Sequence, residues 1–144
     1  MIKKTGLKAR FFYVCCMPGC LYYALERAYR AERMAIKGFH AHVYYDEGTF
    51  SQAAALCQAA HQHFDIPMGH MHRKPVGPHP CWSCQLTIPR RQAGEVIPWL
   101  MASRNGLTIF IHGLSGDDLH DHTELVMWLG ESQPLDLSIF QYSA

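Results

Sequence analysis

Between residues 39 and 45 apolar and polar side chains alternate. Phe39, Ala41, Val43 and Tyr45 share one face, and His40, His42 and Tyr44 share the other. A period of two is the mark of a half-buried strand, here with an apolar face and a histidine face. Thr49-Phe50-Ser51-Gln52 follows as a capping box, in which the Thr hydroxyl takes a free N–H of the first helical turn. Ala53, Ala54, Leu56, Cys57, Ala60 and Phe64 then predict a helix that Pro67 closes. Residues 69–76 read as a short second strand. Gly77-Pro78-His79-Pro80 reads as a turn, because its prolines remove donors and fix dihedrals. Trp82, Cys84, Leu86 and Ile88 alternate with Ser83, Gln85 and Thr87 to give a third strand. Residues 92–104 read as a helix ended by Asn105-Gly106, with Pro98 leaving its start undefined. Leu107, Ile109 and Ile111 alternate with Thr108, Phe110 and His112 in a fourth strand. Asp121-His122-Thr123-Glu124 resembles a second capping box, for a helix running to Gly130, and residues 135–140 form a last extended segment.

The order βαββαβ, with an added C-terminal helix, predicts an α+β fold of the ferredoxin-like split βαβ type. Its strand order is 4-1-3-2, with both helices on one face. The opposite face then carries His40, His42, Tyr44, Gln85, Phe110 and His112, with His70 and His72 beside them. A face so rich in imidazole and aromatic rings calls for cover by a site, a partner subunit or both.

The first 33 residues do not share this pattern. Lys3, Lys4, Lys8 and Arg10 precede an apolar stretch, residues 11–25, broken by Pro18-Gly19. That arrangement resembles a signal peptide, and residues 21–33 also fit a helix. Met34 stands directly before the patterned region. The preferred reading is a dispensable extension over 1–33 and one domain over 34–144.

Composition narrows the function classes. A chain of 144 residues, 49% apolar and 17% charged, is of single-domain size and is neither disordered nor fibrous. Its net charge of +1 gives no footprint for nucleic acid or an anionic membrane. No apolar run reaches the roughly 18 residues of a membrane span. The six cysteines are read as reduced thiols of a cytoplasmic protein. Histidine is the outlier, with ten against 13 Lys plus Arg. It is the commonest metal ligand and the usual acid or base near neutral pH.

His40 and His42 project from one strand face about 7 Å apart along the chain. The assumed topology brings His112 close to His40. Three neutral imidazoles with open positions suit iron(II), zinc or manganese. His79, held between prolines, has the restricted freedom that suits a ligand or proton shuttle. Asp117, Asp118 and Asp121 surround His120 and His122, either to ligate metal or orient an imidazole, or simply to cap a helix and fill a polar turn. Cys81-Trp82-Ser83-Cys84 begins a strand rather than a helix, so it is read as two ordinary cysteines. His61, His63 and His120 are read as surface residues.

Residues 38–46 (Gly-Phe-His-Ala-His-Val-Tyr-Tyr-Asp), 75–80 (Pro-Val-Gly-Pro-His-Pro) and 116–123 (Gly-Asp-Asp-Leu-His-Asp-His-Thr), with Trp128-Leu129-Gly130, resemble the small DOPA 4,5-dioxygenase family in the same order. The resemblance implies a ferredoxin-like fold, often dimeric, and extradiol cleavage of a catechol such as DOPA by O2 with a non-haem iron(II). His40, His42, His72, His79, His112 and His122 match family histidines. On that basis His40, His42 and His112 are the metal ligands, with His79 as an alternate. His79 and His122 are acid/base candidates, and His72 lines the pocket. Tyr44, Phe110 and Trp82 are candidate aromatic walls. One departure is Gly113, where the family usually has proline, which loosens the turn after the strand. Two other classes fit the residues: a non-catalytic zinc-binding domain, and a dimeric interaction or small-molecule-binding module.

Overall fold

The alternation at the start of the patterned region builds β1 (Gly38–Tyr45), which lies inside the sheet with a strand on each side. The computed structural model describes residues 35–140, so the readings of residues 1–33 as extension, signal or helix fall outside the described residues. After β1 the chain forms α1 (Phe50–Phe64), β2 (Trp82–Pro89), α2 (Ala93–Ser103), β3 (Ile109–Gly113), α3 (Asp118–Thr123) and β4 (Val126–Leu129). One-turn helices at Arg90–Gln92 and Leu137–Phe140 precede α2 and follow β4. The four strands form one antiparallel sheet in the order β2-β1-β3-β4. The fold is α+β. The strands β3, β1 and β2 lie side by side, as the pattern predicts for the strands near 107–112, 39–45 and 82–88.

The apolar faces of those strands meet α1 and α2. Ala41, Val43, Leu86, Ile88, Ile109 and Ile111 pack with Leu56, Cys57, Ala60, Val96 and Leu100 in one core. Burying each large aliphatic side chain contributes about 1.5–3 kcal/mol, so this helix-side layer holds the sheet independently of its other face. Trp82 belongs here, edge-on to Tyr45 with centroids 6.4 Å apart, and does not wall the histidine face.

Four local expectations change, the first being the extended segment over 135–140, which ends in the one-turn helix Leu137–Phe140 instead. Thr49 does precede α1, but its hydroxyl donates to Asp46 Oδ1 at 2.8 Å and caps no helical N–H. Gln52 instead reaches the Asn105 carbonyl at 2.7 Å. The box fails because the Thr49 hydroxyl oxygen instead accepts from the Asp46 N–H at 3.0 Å while its proton goes to the Asp46 carboxylate, which turns the side chain back toward the loop. Residues 69–76 form no strand. They run beside β2 through single contacts: a bridge between Met68 and Leu86, Gly69 N–H to Gln85 O, and His72 N–H to Ser83 O. Pro67 and Pro75 lack donors for a continuous ladder. The Tyr45 hydroxyl holds this segment in place by donating to the His72 carbonyl at 2.8 Å. Finally, the helix near 121–130 is only six residues long. Asp117 caps it by accepting from His120 N–H at 3.0 Å, and β4 replaces its expected second half. Val126, Met127, Trp128 and Leu129 suit a strand beside β3. Among the described residues no helix is long and apolar enough to cross a membrane.

Candidate metal centre

The register of β1 and β3 pairs His40 with His112 and His42 with Phe110. All four side chains therefore project on the sheet face away from the helices. The His40, His42 and His112 ligand nitrogens lie within 4.8 Å of one another. His42 Nε2 and His112 Nε2 are 3.3 Å apart. A metal–nitrogen bond of about 2.1 Å in tetrahedral geometry sets N···N edges near 3.4 Å, so this pair already has the spacing a shared ion requires. Three imidazoles with no carboxylate between them form a neutral donor set that suits a divalent transition metal. This group can bind a metal.

The environment keeps the rings neutral. Burial pushes the His42 imidazole well below its ordinary range, and the neighbouring His79, His112 and His40 add to the effect. His112 is lowered to about 4 by burial and by His122. His40 is lowered by burial and by His122, and Asp121 and Asp118 partly oppose the shift. A neutral imidazole has the free lone pair a metal needs. His112 Nδ1 donates to the Gly113 carbonyl at 3.0 Å. That contact fixes the ring so that Nε2, facing His42, carries the lone pair. Gly113 remains in β3, and its N–H donates to the Leu125 carbonyl at 2.8 Å.

Three segments close over this face. The 76–80 turn brings His79 over His42, with ring centroids 3.9 Å apart. His79 Nδ1 lies 2.8 Å from the Tyr44 hydroxyl. Burial lowers the His79 imidazole to about 4, with His122 and His112 contributing. Burial also raises the Tyr44 phenol further above its ordinary range, so it keeps its proton. From α3, His122 lies 4.0 Å from the His112 ring and donates from Nδ1 to the Asp118 carbonyl at 2.7 Å. From the last turn, Phe140 packs on His122 with centroids 4.7 Å apart. Together these enclose a cavity of about 300 Å³ lined by His40, His42, His72, His79, His112, His122 and Phe140 among others.

The six histidines picked from the sequence thus meet around one cavity, although His79 lies outside the group of three with convergent ligand nitrogens. Asp121 is buried, but it serves the backbone. It accepts from Ser115 N–H at 3.0 Å and from the Ser115 hydroxyl. Ser83, on the histidine face of β2, and Phe140 also line the cavity. The β2 alternation signals Ser83, whereas nothing local signals Phe140. Trp128, on β4, packs against Phe110 and Tyr44 on the same face. Cys57, Cys81 and Cys84 are free thiols, with Cys57 and Cys84 in the helix-side core.

Fold and site together define a small α+β protein with a candidate tri-histidine metal centre under loop cover. The sequence model of the Dopa 4,5-dioxygenase family matches residues 39–139. The chain belongs to that family. It is 30% identical over 116 residues to a DOPA 4,5-dioxygenase of Amanita muscaria, covering 72% of this chain and 49% of the relative. It is also 30% identical over 113 residues to an uncharacterized 21.2 kDa protein of Botryotinia fuckeliana, covering 70% and 62%. The chain therefore spans about half to three fifths of these curated relatives. The crystal structure of a candidate dioxygenase from Nostoc punctiforme superimposes with a TM-score of 0.73 at 35% identity, covering 77% of this chain and 95% of that one.

Proposed function

We propose that this protein is an extradiol ring-cleaving dioxygenase that opens a catechol, DOPA or a related dihydroxyphenyl compound, with O2. Its metal would be a non-haem iron(II) held by His40, His42 and His112. The observation that carries the reading is the convergence of those nitrogens within 4.8 Å at a cavity that three further imidazoles also line. Iron(II) supplies the redox chemistry that lets dioxygen react with the ring, which zinc does not.

The chain's own residues have distinct tasks. A volume of about 300 Å³ suits a single-ring ligand. Phe140 offers an aromatic surface at its edge, and Phe110 packs beneath the histidines. His122 has its Nδ1 committed to a carbonyl, so Nε2 is available to take a catechol proton. His79 provides a second polar contact. His72 also lines the cavity. We extend the proposal to self-association through β4, an edge strand on which Val126 and Met127 are part-exposed.

Anaerobic loading with iron(II), followed by a panel of catechols in air, tests the activity. The expected result is a yellow ring-opened product that requires both the metal and His42. Full metal loading without product from any catechol would instead favour a non-catalytic metal-binding domain.

A further inference from the structure

Two of the cavity histidines present opposite hydrogen-bonding character. Tyr44 is buried, and among the described residues its hydroxyl has a single partner, His79 Nδ1 at 2.8 Å. A phenol O–H buried in protein needs an acceptor, and leaving it unpaired is costly. Tyr44 therefore donates to Nδ1. An Nδ1 that accepts carries no proton, so neutral His79 holds its proton on Nε2. Among the described residues His79 Nε2 has no partner, and no buried polar side-chain atom is left unpaired. Nε2–H thus opens on the cavity that His79 lines.

His122 is the reverse. Its Nδ1 faces the Asp118 carbonyl at 2.7 Å, and a carbonyl only accepts. The proton sits on Nδ1 and the lone pair on Nε2. His112 is locked in the same sense by Gly113.

We propose that Tyr44 is a positioning residue that locks His79 as an Nε2–H donor, so that the cavity sets a donor at His79 opposite an acceptor at His122. The two rings are 6.3 Å apart. Such a pair selects a ligand with one anionic oxygen and one hydroxyl on neighbouring atoms: the oxygen accepts from His79 and the hydroxyl gives its proton to His122. A singly ionised catechol has that character. In this arrangement His79 is neither the base nor a metal ligand, because ligation through Nε2 would move the proton to Nδ1 and leave the Tyr44 O–H without an acceptor. The ligand match rests on the ring-cleavage reading. The tautomer does not.

The test is long-range ¹H–¹⁵N correlation spectroscopy of the full chain with labelled histidine, near pH 7.5, metal-free and then with zinc. His79→Gln and His122→Gln identify the signals. His79 is expected to show a protonated Nε2 and an unprotonated Nδ1, in a ratio of about tenfold or more, and His122 and His112 the opposite pattern in the metal-free chain. The His79 pattern should persist with zinc. Tyr44→Phe should turn the His79 signals into a tautomer mixture, and Tyr44→Phe chain that is metal-loaded should show a raised KM for catechol. A protonated Nδ1 on wild-type His79, a His79 Nε2 that becomes zinc-bound, or an unchanged His79 spectrum in Tyr44→Phe would each overturn the proposal. If Tyr44→Phe does not fold, the wild-type contrast between His79 and His122 decides the matter alone. Absence of catechol cleavage would sink the ring-cleavage reading and leave the tautomer assignment standing.

Discussion

His42 and His112 occupy diagonal positions of the β1–β3 pair, and their Nε2 atoms meet 3.3 Å apart. Two lone pairs at that distance repel unless a proton or a cation lies between them. In the metal-free protein a proton on His42 Nε2 fills the gap, since His112 Nδ1 holds the other ring's proton. A divalent ion held there would take the place of that proton, which would move to His42 Nδ1 or to solvent, and His40 would be its third donor. His42→Ala is therefore expected to weaken metal binding by more than about 100-fold. The fold should survive, because the core lies on the other face of the sheet. Metal titration followed by calorimetry, with circular dichroism on the same samples, checks both parts.

Acid should destabilise the metal-free protein. His79 and His112 are lowered to about 4 when folded, from an ordinary value of 6.5, and His42 is lowered further in the same direction. Between pH 6.5 and 4 the unfolded chain binds more protons than the folded one, so stability falls as pH falls through that window and levels off below it. Thermal melts are expected to drop by several degrees from about pH 7.5 to about pH 5. The drop should shrink in His79→Gln, which removes one of the three groups. A melting temperature that rises on acidification would contradict the burial of these imidazoles.

The histidine face of β1 was legible because a period of two places alternate residues on opposite sides whatever surrounds them. The approach of His112 followed from one topological assumption, and the register pairs it with His40. The Tyr44–His79 contact was not legible. It joins residues 35 apart and depends on how a proline-rich turn folds over the sheet. β4 was missed for a local reason. Asp117 and Asp121 both stand at capping positions, four residues apart, and only the tertiary role of Asp121 toward Ser115 shows which one begins the helix. Once Asp117 is the cap, the short helix leaves Val126–Leu129 free to pair with β3.

Phe140 should act on binding more than on turnover. It packs against the His122 ring at the cavity wall and is not one of the three residues with convergent ligand atoms. Phe140→Ala is expected to raise KM for a catechol by roughly 3- to 10-fold, the worth of one aromatic contact, with kcat nearly unchanged. Steady-state kinetics across a substrate series separates the two constants. A fall in kcat alone would mean that the ring positions His122 instead.

Asp121 links stability to the site. Its carboxylate is buried and accepts from both the backbone N–H and the hydroxyl of Ser115, tying α3 to the loop that leaves β3. Asp121→Ala removes these charge-assisted bonds and leaves the part-buried Ser115 N–H without its partner, a loss of about 2 kcal/mol. His122 is the next residue, and the same helix turn supplies the Asp118 carbonyl that fixes its ring. Asp121→Ala is therefore expected to lower both stability and turnover. His122→Ala should lower turnover by roughly 10²–10⁴-fold while metal content and melting temperature stay close to wild type. Measuring all three quantities on both variants separates the anchor from the proton acceptor. If His122→Ala also loses metal, His122 is a ligand and not the base. If it keeps full turnover, the proton leaves by another route, and water becomes the acceptor to test next.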